Sequence, residues 1–167
     1  LFFDSNINSV TLAESNFDLI KSLLDQINPI LERTLRHSCF ILAIGKCFSF
    51  KNLRRLLLEL DFRNDLIHKL TPQLPTSITS FFLSDFNEIR TKYYSEAISP
   101  IISFIDEMET TTMFNQQPTI SPLSVLLNNS SLTIFSLSHA KLGQKATTAI
   151  ASLVIQQIFS LAQQRPL

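Results

Sequence analysis

The stretch Lys51-Asn52-Leu53-Arg54-Arg55-Leu56-Leu57-Leu58-Glu59-Leu60 shows most directly which kind of fold this sequence encodes. At 3.6 residues per turn its charged side chains lie on one side or at the borders of that side, and the opposite side carries Leu53, Leu56, Leu57 and Leu60. An apolar stripe of this kind is normally buried against a core, while the charged face meets water. The stretch therefore predicts an amphipathic α-helix in a helical fold.

Helix signals continue on both sides of this stretch. Ser15-Asn16-Phe17-Asp18 fits the capping-box pattern of a helix start. Asn28-Pro29 combines a capping side chain with a proline suited to the first turn, and Gly45 is a natural end for that helix. Further apolar residues recur at helical spacing in three later ranges, namely 63–70, 75–93 and 96–108.

Composition supports the same class and excludes others. The chain is 45% hydrophobic, which is ordinary for a globular domain, and its two glycines are too few for most phosphate-binding loops or dinucleotide folds. No apolar run reaches the length of a membrane span, and Leu1-Phe2-Phe3-Asp4 lacks the features of a signal peptide. These two features predict a cytoplasmic location. Because the chain starts without Met and ends in Arg165-Pro166-Leu167, we also expect it to be an excerpt of a larger protein.

The C-terminal part has a different texture. Leu132-Thr133-Ile134-Phe135-Ser136-Leu137 is short, β-prone and nearly continuous in its apolarity, which is typical of a buried parallel strand. Residues 138–144 are expected to form a loop, and residues 145–163 a helix. A single strand must pair with others, so its neighbours are expected outside this segment or within residues 1–12.

The charges are distributed unevenly although the formal net charge is zero. Residues 31–70 contain eight bases and four acids, whereas residues 71–110 contain two bases and six acids. The basic half includes four residues that are candidates for contacts with DNA phosphates or an acidic partner: Lys46, Lys51, Arg54 and Arg55. The ordinary alternative is a solvated helix face, because no aromatic stacking platform is interleaved with these bases.

Two histidines and two cysteines raise the question of a metal or a nucleophile. His37, Cys39, Cys47 and His68 are candidate zinc ligands by residue type. Their spacing argues against a zinc site because no C-x-x-C pair is present, and Cys39 lies on an apolar helix face. Buried thiols are the favoured interpretation, and a cysteine–histidine catalytic pair would need a spatial contact that sequence cannot show. We predict no metal site and no catalytic residue.

Ser138, His139 and Lys141 follow the predicted strand, where the carboxyl ends of parallel strands collect ligands in α/β folds. A contact with nucleotide or a neighbouring subunit is one interpretation of these three residues. The alternative is an ordinary polar loop that leads into a helix. The aromatic residues between positions 81 and 94 are expected to pack in the core: Phe81, Phe82, Phe86, Tyr93 and Tyr94.

Four short motifs in order resemble a known family. Leu31-Glu32-Arg33-Thr34-Leu35-Arg36 resembles an L-E-x-x-L-R helix, and Asp61-Phe62-Arg63 with Leu66-Ile67 resembles a D-x-x-F-R-x-x-L-L segment. Glu96-Ala97-Ile98-Ser99-Pro100-Ile101 is similar to an E-A-I-x-P-I-L helix, and residues 132–143 resemble a strand and loop of the type I-L-L-V-N-L-S-K-G-x-L-G. The family is that of conjugative coupling ATPases and related type IV secretion motors.

The resemblance implies a fold and a function. It implies that residues 1–118 form an all-α insertion domain and that residues 119–167 form one strand-loop-helix unit of a RecA-like α/β core. The parent protein would be an ATPase that uses ATP and Mg²⁺, forms a homo-hexamer and works at the cytoplasmic face of the inner membrane. It would move DNA with relaxase or secretion-channel proteins as partners. This segment contains neither the phosphate loop nor the acidic strand of such motors.

A second hypothesis is a free-standing helical adaptor that binds partner proteins through amphipathic grooves. The predicted strand discriminates between the two hypotheses, because an adaptor has little use for an isolated apolar strand followed by a crossover helix. A small helical enzyme that uses cysteine or histidine is a third, less supported possibility.

Overall fold

The computed structural model describes residues 8–24, 26–110, 132–137 and 143–163. In these ranges the chain forms α1 (Ser9–Leu23), α2 (Pro29–Ile44), α3 (Phe50–Leu58), α4 (Leu60–Leu70), α5 (Thr76–Ser80), α6 (Phe86–Lys92), α7 (Ser99–Thr110) and α8 (Gln144–Gln163). A 3₁₀ turn at Thr71–Gln73 and two π-helical turns, Phe81–Asp85 and Tyr94–Ile98, connect some of them. The predicted mainly α class is therefore confirmed.

Helices α1 and α2 pack closely against each other and run antiparallel, since Lys21 pairs with Glu32 and Glu14 with Arg36. Their capping residues explain where they begin. Asn28 caps α2 as predicted, because its Oδ1 accepts a hydrogen bond from the Leu31 amide at 2.8 Å. Helix α1 begins at Ser9 rather than at the predicted Ser15, with the Asn8 side chain as its cap. The earlier start buries Ala13, and Asn16 is buried as well.

The amphipathic stretch becomes two helices that meet at Glu59. Helix α3 ends at Leu58, Glu59 adopts an extended conformation, and α4 begins at Leu60. Leu53, Leu56 and Leu57 on the apolar stripe are buried, but Leu60 is 51% exposed. The prediction that Leu60 belongs to the buried face is therefore wrong, because the bend at Glu59 turns it away from the stripe of α3.

Arg63 of α4 closes this bend from inside the protein. Its side chain is only 1% exposed, and its Nη1 donates to the carbonyl oxygens of Leu56 at 2.9 Å and Leu57 at 3.5 Å. The guanidinium also lies 4.8 Å from the centre of the Phe86 ring. Arg63 thus satisfies carbonyl groups at the end of α3 and connects the α3–α4 corner to α6.

The segment from α5 to α7 is helical but contains two π turns. Ile78, Phe82 and Ile89, which recur at helical spacing in the predicted range 75–93, are buried. Tyr93 and Tyr94 are exposed, at 37% and 41%, although both were predicted to pack in the core. The prediction is wrong because α6 ends at Lys92 and a π turn starts at Tyr94, which changes the rotation of the following residues.

One hydrophobic core unites these helices. α3 and α7 meet through the edge-to-face rings of Phe50 and Phe104, whose centres are 5.7 Å apart. The core also receives Ala149 from α8, which packs against α1. Among the described residues, no helix combines the length and apolarity needed to cross a membrane.

Residues 132–137 form no strand in the structure. Leu132 and Ile134 are 75% and 79% exposed, so these apolar side chains are not buried by the described part of the chain. None of the described residues is in a β-strand. The predicted buried strand is therefore not found in the described part of the chain, where residues 132–137 have no strand to pair with, and a strand is stable only when its backbone groups have partners. The domain boundary predicted near residue 118 lies outside the described residues.

Candidate functional site

The four predicted DNA-contact residues fall into two groups. Lys51 is exposed near the start of α3, and Lys46 is exposed in the turn after α2, where its φ of 50° is positive. Within the described ranges, neither lysine makes an ion pair. Both lysines therefore have charges that remain open to an external anion.

The two arginines of the predicted site are engaged within the protein. Arg54 donates to Asp106 Oδ1 of α7 from both Nη1 and Nη2, and the Nη1–Oδ1 distance is 2.9 Å. Arg55 donates from Nε to Glu59 at 2.8 Å and lies 4.1 Å from the centre of the Phe62 ring. Their exposed fraction is intermediate, so contact with phosphate would compete with these interactions.

Further ion pairs connect α2 to other elements of the fold. Arg33 binds Asp85 at 2.7 Å, which joins α2 to the first π turn. Hydrogen bonds from Ser84 and Arg33 lower the pKa of the Asp85 carboxyl. Lys21 of α1 binds Glu32 of α2 at 2.8 Å, and this hydrogen bond is the main cause of the lowered pKa of Glu32. The uneven sequence charge is thus partly cancelled by contacts across the fold.

Lys69 is a basic residue near the Lys46 turn that sequence reasoning missed. The end of α4 lies against this turn, because a Cβ built on Gly45 would be 3.2 Å from Leu70 Cδ1. Lys69, next to Leu70, is exposed and close enough to influence the Cys47 thiol electrostatically. Lys46 lies in the turn after α2 and Lys69 on α4, 23 positions later in the sequence, so only the packing of α4 on the turn brings this part of α4 close to Lys46.

The histidines and cysteines are dispersed through the fold. Cys39 is fully buried, as predicted, and burial raises the pKa of its thiol. Burial also raises the pKa of the half-buried Cys47. The described residues contain no group of three or more His, Cys, Asp or Glu side chains that could hold a metal ion.

His37 packs into a small polar–aromatic cluster. Its ring stacks on the Phe81 ring with centres 4.5 Å apart, and the Arg33 guanidinium lies 4.9 Å from the centre of the Phe81 ring. Burial is the main cause of the lowered pKa of His37, and the neighbouring Arg33 charge acts in the same direction. His37 is therefore mainly a neutral packing residue near neutral pH.

The predicted loop site cannot be placed: Ser138, His139 and Lys141 lie outside the described residues. The residues on either side of this loop carry exposed apolar side chains. We call them the C-terminal apolar residues, and they are Leu132, Ile134, Phe135, Ile155 and Phe159. Ile155 and Phe159 are one helical turn apart on α8 and are 65% and 66% exposed. Contiguous exposed apolar side chains mark interaction surfaces, so the face of α8 that carries Ile155 and Phe159 is a candidate binding surface.

Comparisons with known proteins found no matching family model, no similar curated protein and no similar solved structure. Functional inference for this chain therefore depends on its own residues and their geometry.

Proposed function

We propose that this chain is a helical binding module that docks a protein partner through the C-terminal apolar residues. The observation that carries this proposal is the contrast between the two parts of the chain. The helices from α1 to α7 bury most of their large apolar residues in one core, whereas the short segment 132–137 exposes three large apolar side chains and α8 exposes two. Burial of such side chains supplies the main free energy of protein association.

The packing of α8 supports this role. Ala149 and Ile150 are buried, and Ala149 belongs to the common core, so the first half of α8 is held on the helical body. Ile155 and Phe159 follow on the same helix and remain exposed. A helix anchored at one end and apolar on its exposed face resembles the partner helices that enter hydrophobic grooves.

Site-specific photo-crosslinking tests the proposal. With p-benzoylphenylalanine at position 159, we expect one discrete crosslinked species in the source cells, and the same species from position 155. Asp18, an exposed residue of α1, is the control position and should give no such species. With the crosslinker at position 159, Ile155→Asp should abolish the crosslinked species while the helical circular-dichroism signal stays unchanged. Absence of the crosslinked species from both positions in the otherwise wild-type chain would contradict the proposal.

A second candidate, favoured by residues 132–137, is a segment of an ATP-driven DNA-translocating motor of a conjugation or type IV secretion system. This short segment exposes Leu132 and Ile134 and makes no backbone hydrogen bond with other described residues. A strand of a RecA-like core would have these properties in an isolated segment, because its partner strands would lie elsewhere in the parent protein. On this proposal residues 1–118 are the helical insertion, residues 119–167 belong to the RecA-like core, and ATP and Mg²⁺ bind elsewhere in the parent.

The parent gene distinguishes the two candidates. The motor proposal predicts a G-x-x-x-x-G-K-[ST] loop encoded upstream and an apolar strand ending in Asp-Glu encoded downstream. Unrelated sequence on both sides would exclude the motor and leave the binding module standing. The crosslinking experiment is independent of this result, because it asks only whether α8 contacts a partner.

A further inference from the structure

The exposed face of α8 has a regular spacing of residues. Five positions recur at alternating intervals of four and three, and we call them the α8 stripe: Thr148, Ser152, Ile155, Phe159 and Ala162. All five are exposed or partly exposed, whereas Ala149 and Ile150 on the other side of the helix are buried. A repeat of four and three keeps side chains in one line along a helix, where they pack against a second helix. The geometry of α8 therefore fits a helical occupant.

The order of side-chain sizes in the α8 stripe is the same in both directions. Ser152, Ile155, Phe159 and Ala162 are small, large, large and small. In an antiparallel pair with a two-fold axis midway between Ile155 and Phe159, Ile155 of one copy lies opposite Phe159 of the other, and Ser152 lies opposite Ala162. The large side chains then meet at the centre, and the small ones on either side let the helix backbones approach closely. The stripe is thus complementary to itself.

The charge of this region also favours a second copy over a different protein. Residues 146–164 contain no Asp, Glu, Lys, Arg or His. Helices that select a foreign partner commonly carry charges beside the apolar stripe, because like charges oppose the pairing of identical helices. Residues 146–164 present no such obstacle, and the zero formal net charge of the chain removes overall repulsion between two copies.

Given the proposed function, in which α8 docks a protein and on which this assignment depends, we propose that the docked protein is a second copy of this chain. The two α8 helices pair antiparallel through the α8 stripe and enclose Ile155 and Phe159 of both copies. Ala149 and Ile150 stay packed on the helical body of their own copy, so neither copy has to unfold. A single pair of helices makes a small interface, which is typical of a weak, concentration-dependent dimer.

Sedimentation equilibrium of the purified chain tests for the dimer. The weight-average mass should rise with protein concentration from 19.0 kDa towards twice that value. Phe159→Asp should raise the dissociation constant by at least about tenfold, because it places two carboxylates in the apolar centre. Leu83→Asp, which changes a large apolar residue that is 61% exposed on the first π turn, is the matched control and should leave the constant unchanged. A chain that stays monomeric up to millimolar concentration, or a dimer that Phe159→Asp does not weaken, would overturn the proposal.

Single cysteines test the antiparallel arrangement and keep the large apolar residues, so they decide the question even if Phe159→Asp loses its fold. In a Cys47→Ser background, where the buried Cys39 is the remaining native thiol, Ser152→Cys and Ala162→Cys chains should form a disulfide when mixed and oxidised. Neither should do so alone, because the two copies of position 152 lie about 15 Å apart along antiparallel helices, farther than a disulfide spans. Disulfides in each chain alone would indicate parallel helices and overturn the proposal, as would the absence of a disulfide in the mixture.

Photo-crosslinking separates failure of the self-pairing from failure of the proposed function. The purified chain with p-benzoylphenylalanine at position 159 should give a covalent species of twice the chain mass. A monomeric chain that crosslinks in the source cells to a species of another mass would overturn the self-pairing and leave the binding-module function standing. An intramolecular crosslink to residues 132–137 in a monomer, or no crosslink from position 155 or 159, would contradict both.

Discussion

At the scale of single residues, Arg63 is the most unusual feature of the protein. A fully buried guanidinium normally has a carboxylate partner, but Arg63 is held by backbone carbonyl groups at the end of α3 and by the Phe86 ring. Its Nη2 has no hydrogen-bond partner among the described residues. Burial lowers the pKa of Arg63, and the nearby Arg90 charge acts in the same direction.

Replacement of Arg63 separates its packing from its charge. Arg63→Ala should destabilise the protein by about 3 kcal/mol, because it leaves a cavity beside Phe86 and unsatisfied carbonyls at Leu56 and Leu57. Arg63→Met should cost only about 1 kcal/mol, since it keeps the volume and removes an uncompensated buried charge. Urea unfolding measures both, with Asn64→Ala, an exposed change on the same helix, as the control. An Arg63→Ala protein as stable as wild type would contradict this account.

His37 should make stability sensitive to mild acid. Its folded pKa lies below its ordinary value of 6.5, so the unfolded chain takes up a proton more readily as pH falls. The free energy of unfolding should therefore have its full value at neutral pH and decrease as the pH falls below about 6.5. Thermal unfolding at pH 7 and pH 5 should show a smaller difference in His37→Gln than in wild type. Asp85 and Glu32 have lowered pKa values and act at lower pH, so an unchanged difference would exclude His37 as the source.

At the scale of elements, ion pairs connect helices that are distant in sequence. Arg54 on α3 and Asp106 on α7 are 52 residues apart, and the same helices meet through Phe50 and Phe104. The Arg33–Asp85 pair joins α2 to the first π turn in a similar way. Partly exposed pairs contribute little free energy, so the apolar contacts hold the helices together and the ion pairs help to select their register.

A double-mutant cycle measures the α3–α7 contact. Arg54→Ala and Asp106→Ala should show a coupling energy of about 0.5 to 1 kcal/mol at low salt, because the pair is only partly screened by solvent. The coupling should fall towards zero at about 1 M salt. The local Lys92–Glu88 pair on α6 is the matched control and should show a smaller coupling energy, because both side chains are more exposed than those of Arg54 and Asp106. No measurable coupling between Arg54 and Asp106 at low salt would show that this ion pair does not stabilise the interface.

At the scale of the whole molecule, the fold redistributes the charges that the sequence separates. Acids from α7 and the first π turn occupy bases of α2 and α3, which removes Arg54 and Arg33 from the available positive charge. Lys46, Lys51 and Lys69 remain exposed without ion pairs in the described ranges. If nucleic acid binds the surface that carries Lys46, Lys51 and Lys69, we therefore expect these lysines, rather than Arg33 or Arg54, to contact its phosphates.

DNA binding tests this redistribution. On the motor proposal, Lys46→Glu with Lys51→Glu should weaken binding to any DNA sequence and reduce the slope of affinity against salt by about 2, since each lysine neutralises about one phosphate. Arg90→Glu with Lys92→Glu makes the same change in net charge in the acidic half and is the control. Fluorescence anisotropy over a range of salt concentrations measures both. Equal weakening in the two double variants would attribute the effect to net charge, and an unchanged affinity would exclude the lysine contact.

Periodicity and capping chemistry determined most of the helices from the sequence alone. The Asn28-Pro29 start, the end at Gly45 and the buried leucines Leu53 and Leu56 depend on neighbours three or four residues away, which the sequence displays directly. The same is true of the mainly α class, because an apolar stripe at helical spacing has few other uses.

Only the tertiary structure decided which of these residues remain available for function. Arg54 and Lys51 look alike in the sequence, but Arg54 meets Asp106 from a helix 52 residues away and Lys51 has no such partner among the described residues. Tyr93 and Leu60 fit apolar stripes, yet the π turn and the bend at Glu59 expose them. The physical reason is that these outcomes depend on contacts and backbone rotations between distant segments, whereas periodicity reports only the local face on which a side chain lies.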